Sequence, residues 1–157
     1  MNKAVKLIVS IAICLFAGGI GTIFTASSIP TWYATLNKPI FSPPNYLFGP
    51  VWTILYILMG ISLYLIWIKG TKTKRVRDAL FLFVVQLLLN AAWSPVFFGA
   101  RNIFIALIII ILMWNFILRT ILAFGKINKT ASYLLYPYIA WVSFASVLNF
   151  SVWILNR

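Results

Sequence analysis

Four side chains between residues 86 and 99 have the spacing and the chemistry of a binding surface. Gln86, Asn90, Trp93 and Phe97 follow one another at steps of three or four residues, so on a helix they share one face. The surrounding residues are apolar enough to lie in a membrane, where an amide side chain is costly unless it faces protein, ligand or water. This face is therefore predicted to point inward, as the polar floor and aromatic wall of a pocket.

Two further segments carry aromatic side chains at helical spacing. Trp52 and Tyr56 share a face within residues 46–68, and Trp141 lies four residues before Ala145 within residues 133–154. Indole and phenol rings offer flat ligands a large stacking area. The Asn90 amide and the Trp52 indole N–H can each add a hydrogen bond that orients such a ligand. Helix packing is the alternative explanation of the same aromatic stripe.

The composition excludes most catalytic chemistry. The chain has no histidine, and Asp78 is its only acidic residue. Carboxylate pairs, Ser-His-Asp triads, clustered metal ligands and intramembrane carboxylate relays are thereby ruled out. The single cysteine, Cys14, forms no disulfide within the chain and is expected to be a small buried apolar side chain. No metal site and no required cofactor are predicted.

The chain is predicted to be an all-α integral membrane protein. Hydrophobic residues make up 63% of its 157 residues, and the mean hydropathy is +1.01. The apolar runs are continuous over about 20 residues, which indicates spanning helices rather than the alternating strands of a barrel. The net charge of +12 sits in short loops between these runs, so it indicates membrane topology and not a nucleic-acid partner.

Five transmembrane helices are predicted in one domain over residues 1–157, at residues 7–26, 46–68, 80–99, 103–124 and 133–154. The first resembles a signal peptide in its basic start and its small residues at 26–28. Its length favours a retained helix instead. Residues 69–78 are interpreted as a basic loop, and the fourth helix as a scaffold or lipid-facing element.

Residues 27–45 form the longest loop, interpreted as a lid over the pocket. Pro30 suits the first turn of a short helix carrying Trp32 and Tyr33. The prolines further along favour an extended, rigid backbone. The predicted lid residues are Trp32, Lys38, Pro39, Pro43 and Pro44. Anchoring of the aromatic side chains at the membrane interface is the alternative.

Basic residues indicate the orientation of the five spans. Ten lie on the side of the N-terminus: Lys3, Lys6, Lys69, Lys72, Lys74, Arg75, Arg77, Arg119, Lys126 and Lys129. Three lie on the other: Lys38, Arg101 and Arg157. The positive-inside rule then places the N-terminus in the cytoplasm, and the C-terminus and the 27–45 loop outside.

Helix depth predicts one cavity. At 1.5 Å per residue, Asn90 lies near mid-bilayer, and Trp93 and Phe97 lie further out. Trp52 and Tyr56 lie in the outer half of the second helix, and Trp141 lies about 12 Å from the inner end of the fifth. If the three faces converge, they line a cavity that opens toward the 27–45 loop.

The motifs taken together resemble the translocator protein family (TspO/MBR, tryptophan-rich sensory proteins, peripheral-type benzodiazepine receptor). The resemblance covers nearly the whole chain. Its motifs are Trp32-Tyr33 with Lys38-Pro39 and Pro43-Pro44, Trp52-x-x-x-Tyr56-x-x-x-Gly60, Gln86-x-x-x-Asn90-x-x-Trp93-Ser94-Pro95-x-Phe97-Phe98, and Pro137-Tyr138-x-x-Trp141-x-x-Phe144-Ala145-x-x-Leu148-Asn149.

The resemblance implies a five-helix bundle, commonly a homodimer, that binds porphyrins, haem and in some members sterols. The implied pocket residues are Tyr33, Trp52, Asn90, Trp93, Phe97, Trp141 and Ala145, to which the helical spacing adds Tyr56. One departure is Phe150, which stands where the family's sterol motif has a tyrosine. Since no histidine is present to ligate iron, metal-free porphyrin is favoured over haem held by a dedicated side chain.

Three functions fit these residues. The first is a membrane receptor or translocator for porphyrin-type ligands. The second is light- and oxygen-dependent degradation of protoporphyrin, in which Trp52, Trp93 or Trp141 would react or transfer electrons. The third is a structural or chaperone-like membrane partner whose aromatic side chains only pack.

Overall fold

The computed structural model describes all residues from 1 to 157 and contains helices but no strands. The helices are α1 (Lys3–Ser28), α2 (Phe48–Trp67), α3 (Lys74–Ser94), α4 (Ile103–Gly125), α5 (Lys129–Tyr133) and α6 (Tyr136–Leu155). Five segments are long and apolar enough to cross a membrane, the fifth being Lys129–Leu155, which joins α5 and α6. The predicted fold class, an all-α bundle of five spanning segments, is confirmed.

Polar side chains set the starts of the helices. The Asn2, Thr73, Asn102 and Asn128 side chains each accept a backbone N–H in the first turn of α1, α3, α4 and α5, which is how such residues cap helices. Because Thr73 caps α3, that helix begins at Lys74 and not at residue 80. Part of the predicted basic loop is therefore helical, and Lys74 pairs with Asp78 at 2.8 Å along its surface.

Two prolines lie at the other departures from regular helix. Pro95 opens a π-helical turn, Pro95–Gly99, that continues α3. Its ring removes a backbone donor and crowds the preceding turn, which widens the helix. Pro137 lies in the first turn of α6: the helix of the fifth segment is interrupted at residues 134–135 and restarts at Tyr136. A single helix over 133–154 was predicted, so the short α5 is a correction.

The helices form a ring in the order α2, α1, α3, α4 and α6. Cys14, Met59, Phe83, Met113 and Tyr138 belong to the core between them and are almost fully buried. Helix α4 packs one face on α3 and α6 and leaves large apolar side chains such as Phe104, Ile111 and Leu122 exposed on the other, so it is a scaffold element with an apolar outer face. We call the end that carries residues 29–47 the loop end.

Candidate functional site

A cavity of about 560 Å³ lies between the helices toward the loop end. Twenty-seven residues line it, and they include all eight predicted ligand-binding residues: Tyr33, Trp52, Tyr56, Asn90, Trp93, Phe97, Trp141 and Ala145. The volume falls within the range of small-molecule sites, roughly 300–1,000 Å³. The faces of α2, α3 and α6 therefore converge, as the helical spacing predicted.

The floor of the cavity is a chain of directed hydrogen bonds. The Tyr56 hydroxyl donates to Asn90 Oδ1 at 2.6 Å, and Asn90 Nδ2 donates to the Tyr138 hydroxyl at 2.8 Å. The Tyr138 hydroxyl donates in turn to Gln86 Oε1 at 2.8 Å. This chain joins α2, α3 and α6 and leaves Asn90 one N–H and one oxygen lone pair free for a ligand.

Gln86 lies behind this floor and does not line the cavity. Its side chain is 1% exposed, and its Nε2 has no hydrogen-bond partner. Of the four residues on the predicted inward face of α3, Asn90, Trp93 and Phe97 reach the cavity. Gln86 does not, and instead accepts a hydrogen bond from Tyr138 behind the floor.

The aromatic wall is built from stacked pairs. Trp93 stacks on Phe97 with ring centroids 4.9 Å apart, and Trp52 stacks on Tyr56 at 5.5 Å. Trp93 Nε1 donates to Asn149 Oδ1 at 3.0 Å, while Asn149 Nδ2 donates to the Ile103 carbonyl at 3.1 Å. These bonds hold the wall across α3, α6 and the start of α4, so the rings are oriented before any ligand arrives.

Trp141 differs from Trp93 in the hydrogen bonding of its indole N–H. Its ring lines the cavity and lies edge-on to Phe48 at 6.1 Å. Its Nε1 is buried and has no hydrogen-bond partner. A buried donor without an acceptor is costly, and this nitrogen has no exposed surface through which a molecule in the cavity could reach it.

Residues 27–45 cover this end of the bundle, but none of the five predicted lid residues lines the cavity. Tyr33, predicted as a pocket residue, does line it; it is 4% exposed and packs against Phe97 and Phe98. Burial raises the pKa of the Tyr33 hydroxyl, so the phenol stays neutral. Trp32 packs edge-on against Phe97 at 5.7 Å. Trp32, Lys38, Pro39, Pro43 and Pro44 lie outside the lining.

Hydrogen bonds fasten the loop in place. Lys38 Nζ donates to the Tyr33 and Leu36 carbonyls at 2.8 and 3.3 Å. The Asn156 side chain accepts the Asn37 N–H at 2.9 Å and donates to the Asn37 carbonyl at 2.8 Å. The loop is thereby bound both to itself and to the end of α6.

Sequence reasoning missed the contribution of α1 to the cavity. Gly18, Gly21, Thr22 and Thr25 line it, as do Ile110 and Met113 of α4. Seven α1 residues line it in all, and among them Gly18, Gly21 and Thr25 are spaced at three or four residues. That spacing was the available signal, but small residues serve helix packing equally well.

Comparison with known proteins places this architecture in a family. The profile of the TspO/MBR family matches residues 10–154. The chain is 46% identical to the Tryptophan-rich protein TspO of Chlorobaculum tepidum, over 99% of both chains. It is 41% identical to the human Translocator protein over 135 residues, which are 85% of this chain and 80% of that protein. A Tryptophan-rich sensory protein of Cereibacter sphaeroides is 36% identical over 80% of this chain and 77% of that protein. The chain is a multi-pass membrane protein and belongs to the TspO/MBR family.

Proposed function

We propose that the chain binds flat, hydrophobic ligands of the porphyrin type in the cavity between its helices, as a receptor or carrier in the membrane. The relatives' names, Translocator protein and Tryptophan-rich sensory protein, support a role in transport or sensing. No catalytic acid or base is needed for such a role.

The free N–H of Asn90, beside the converging Trp52, Trp93 and Trp141 rings, carries this proposal. A ligand with a carbonyl or carboxylate group can accept from this N–H while its flat surface stacks on the Trp93–Phe97 wall. Shape and polarity thus favour a large aromatic ligand with few acceptors over an aliphatic chain.

Titration of protoporphyrin, followed by quenching of tryptophan fluorescence, tests the proposal. Trp141→Phe replaces the indole by a smaller phenyl ring and so removes stacking area at the cavity, and we expect about fivefold weaker binding. Trp114→Phe is the matched control, because it makes the same change in a ring that does not line the cavity. Equal affinity in the two variants would remove Trp141 from the site, and absence of saturable quenching in the wild type would refute the function.

A second candidate function is light-dependent degradation of the bound porphyrin. Its support is that Trp52, Trp93 and Trp141 all line one cavity. The excited porphyrin and dioxygen would supply the reactivity, and the indoles would react or transfer electrons. Illumination with a matched set of Trp→Phe variants decides it: porphyrin absorbance should fall faster with the wild type than with the variants. Equal loss in protein-free micelles would rule this function out.

We also propose the orientation and the assembly that the charge pattern and the family favour. The N-terminus lies in the cytoplasm, and the loop end lies outside with the C-terminus. The assembly is a homodimer in the lipid bilayer. A reporter fused at Arg157 that is active only in the cytoplasm would contradict the orientation, and a monomer mass by native mass spectrometry would contradict the assembly.

A further inference from the structure

The cavity is exposed on one side only. Of its lining residues, the exposed ones are Leu15, Gly19, Thr22 and Ala26 of α1, together with Asn45, Gly49 and Thr53 at the start of α2. The lining residues of α3, α4 and α6 are all buried or half-buried. The opening of the cavity therefore lies between α1 and the first turns of α2, within the spanning segments.

Glycines show where these two helices meet and where they part. A Cβ at Gly60 would collide with the backbone of Ile11, and a Cβ at Gly18 would collide with the Tyr56 ring. A Cβ at Gly49, in the first turn of α2, or at Gly19, the residue after Gly18 on α1, would meet nothing within 4 Å. The helices are thus in tight contact in the half away from the loop and leave space between them in the other half.

The outer half of α1 is held by α3 instead. Ser94 Oγ donates to the Gly21 carbonyl at 3.0 Å, and Ser28 Oγ donates to the Phe98 carbonyl at 3.1 Å. These contacts draw α1 toward the far side of the cavity from α2. The gap is consequently part of the packing of the bundle and does not depend on a mobile loop.

The rim of the gap suits a hydrocarbon surrounding. The hydroxyls of Thr22 and Thr53 donate to the carbonyls of Gly18 and Gly49 at 3.0 and 2.8 Å. Each of these polar groups is satisfied within its own helix, so none needs water.

The loop end offers no comparable opening. Tyr33 fills the space beside Phe97 and Phe98, and Asn156 ties Asn37 to the end of α6. We propose that ligands exchange between the cavity and the bilayer sideways, through the gap between α1 and α2, while the 27–45 loop acts as a fixed roof. This inference rests on the proposed ligand-binding function and specifies its ligand as a molecule dissolved in the lipid.

Obstructing the gap tests the route. Gly19→Phe and Gly49→Phe each place a ring in open space at the rim. Ile23→Phe and Ile57→Phe are matched controls on the same two helices, because both positions are exposed and neither lines the cavity. Association and dissociation of protoporphyrin are followed in lipid nanodiscs by stopped-flow fluorescence. The rim variants should slow both rates about tenfold, since the gap limits exchange, and the controls should match the wild type.

Asn156→Ala supplies the opposing test, because it loosens the roof without touching the gap. Sideways exchange predicts wild-type rates in this variant. Faster exchange in Asn156→Ala, with unchanged rates in both rim variants, would overturn the route and leave the binding function standing. If the wild type itself shows no saturable binding, the proposed function fails and the route fails with it.

Discussion

The two sides of the cavity are built on different principles. On the side of α3 and α6, polar side chains bond from one helix to another: Asn90 to tyrosines of α2 and α6, and Asn149 to Trp93. On the side where α1 faces α2, the threonine hydroxyls bond within their own helices. The hydrogen bonds between helices hold the aromatic wall in place. The threonine hydroxyls make no bond between α1 and α2, so these bonds do not oppose a gap between the two helices. The wall on the side of α3 and α6 is therefore rigid, and the opening of the cavity lies on the opposite side, between α1 and α2.

Asn90 gives the largest expected effect on the fixed side. Asn90→Ala leaves the Tyr56 hydroxyl without its acceptor and removes the donor to the Tyr138 hydroxyl. We therefore expect a loss of about 3 kcal/mol in the free energy of unfolding. Thermal unfolding in detergent, followed by tryptophan fluorescence, measures it. Asn115→Ala is the control, because Asn115 is exposed on α4. Similar stability in the two variants would show that the floor does not hold the helices together.

Gly60 tests the tight part of the contact between α1 and α2. Gly60→Ala forces a methyl group against the Ile11 backbone, and overpacking of this kind costs about 2 kcal/mol. Gly19→Ala is the comparison, because its methyl group meets open space and alanine favours the helix. The same thermal assay should show Gly60→Ala destabilised and Gly19→Ala unchanged or slightly more stable. Equal losses would mean that the helices do not part as the structure shows.

Asn156 tests how firmly the roof is held. Asn156→Ala removes its two hydrogen bonds to the Asn37 backbone, which should cost about 1 kcal/mol locally. Hydrogen exchange should then speed up at the Asn37 amide by about fivefold. The amides of α3 serve as the internal reference and should keep their wild-type rates. Unchanged exchange at Asn37 would show that other contacts hold the loop.

Thr53 should give the smallest effect. Thr53→Val keeps the shape and removes a hydroxyl that bonds only to Gly49 of the same helix, so we expect a change in unfolding free energy within about 0.5 kcal/mol. Asn149→Ala, which breaks bonds to Trp93 and the Ile103 carbonyl, is the contrasting variant on the fixed side and should be clearly less stable. Equal changes in unfolding free energy at Thr53 and Asn149 would show that the two sides of the cavity do not differ in how they hold the bundle together.

Spacing within single helices carried the sequence prediction furthest. The three- and four-residue steps from Asn90 to Phe97 and from Trp52 to Tyr56 placed these side chains on common faces, and the structure brings both faces to the cavity. The same spacing grouped Gln86 with them, yet Gln86 lies behind Tyr138. A helical period specifies direction around one axis but not which neighbouring side chain stands in front.

Helix ends were harder to predict because local capping decides them. Thr73 moves the start of α3, and the fifth span is interrupted just before the turn that holds Pro137, although neither residue interrupts the hydropathy pattern. The role of α1 was harder still, since its glycines and threonines have the same pattern whether they pack or line a cavity. Contacts to Ser94 and Tyr56 from other helices decide between these outcomes.

The sequence by itself determined that this protein lies in a membrane and which kinds of catalytic site it lacks. Its continuous apolar runs require a membrane, and its lack of histidine and of a second acid excludes carboxylate pairs, Ser-His-Asp triads and clustered metal ligands. Only the tertiary structure decided that the Tyr56–Asn90–Tyr138 floor closes one side, that Trp141 keeps an unpartnered N–H, and that the opening lies between α1 and α2. The reason is physical: burial preference and helical period act within one segment, whereas a cavity and its opening are distances between segments.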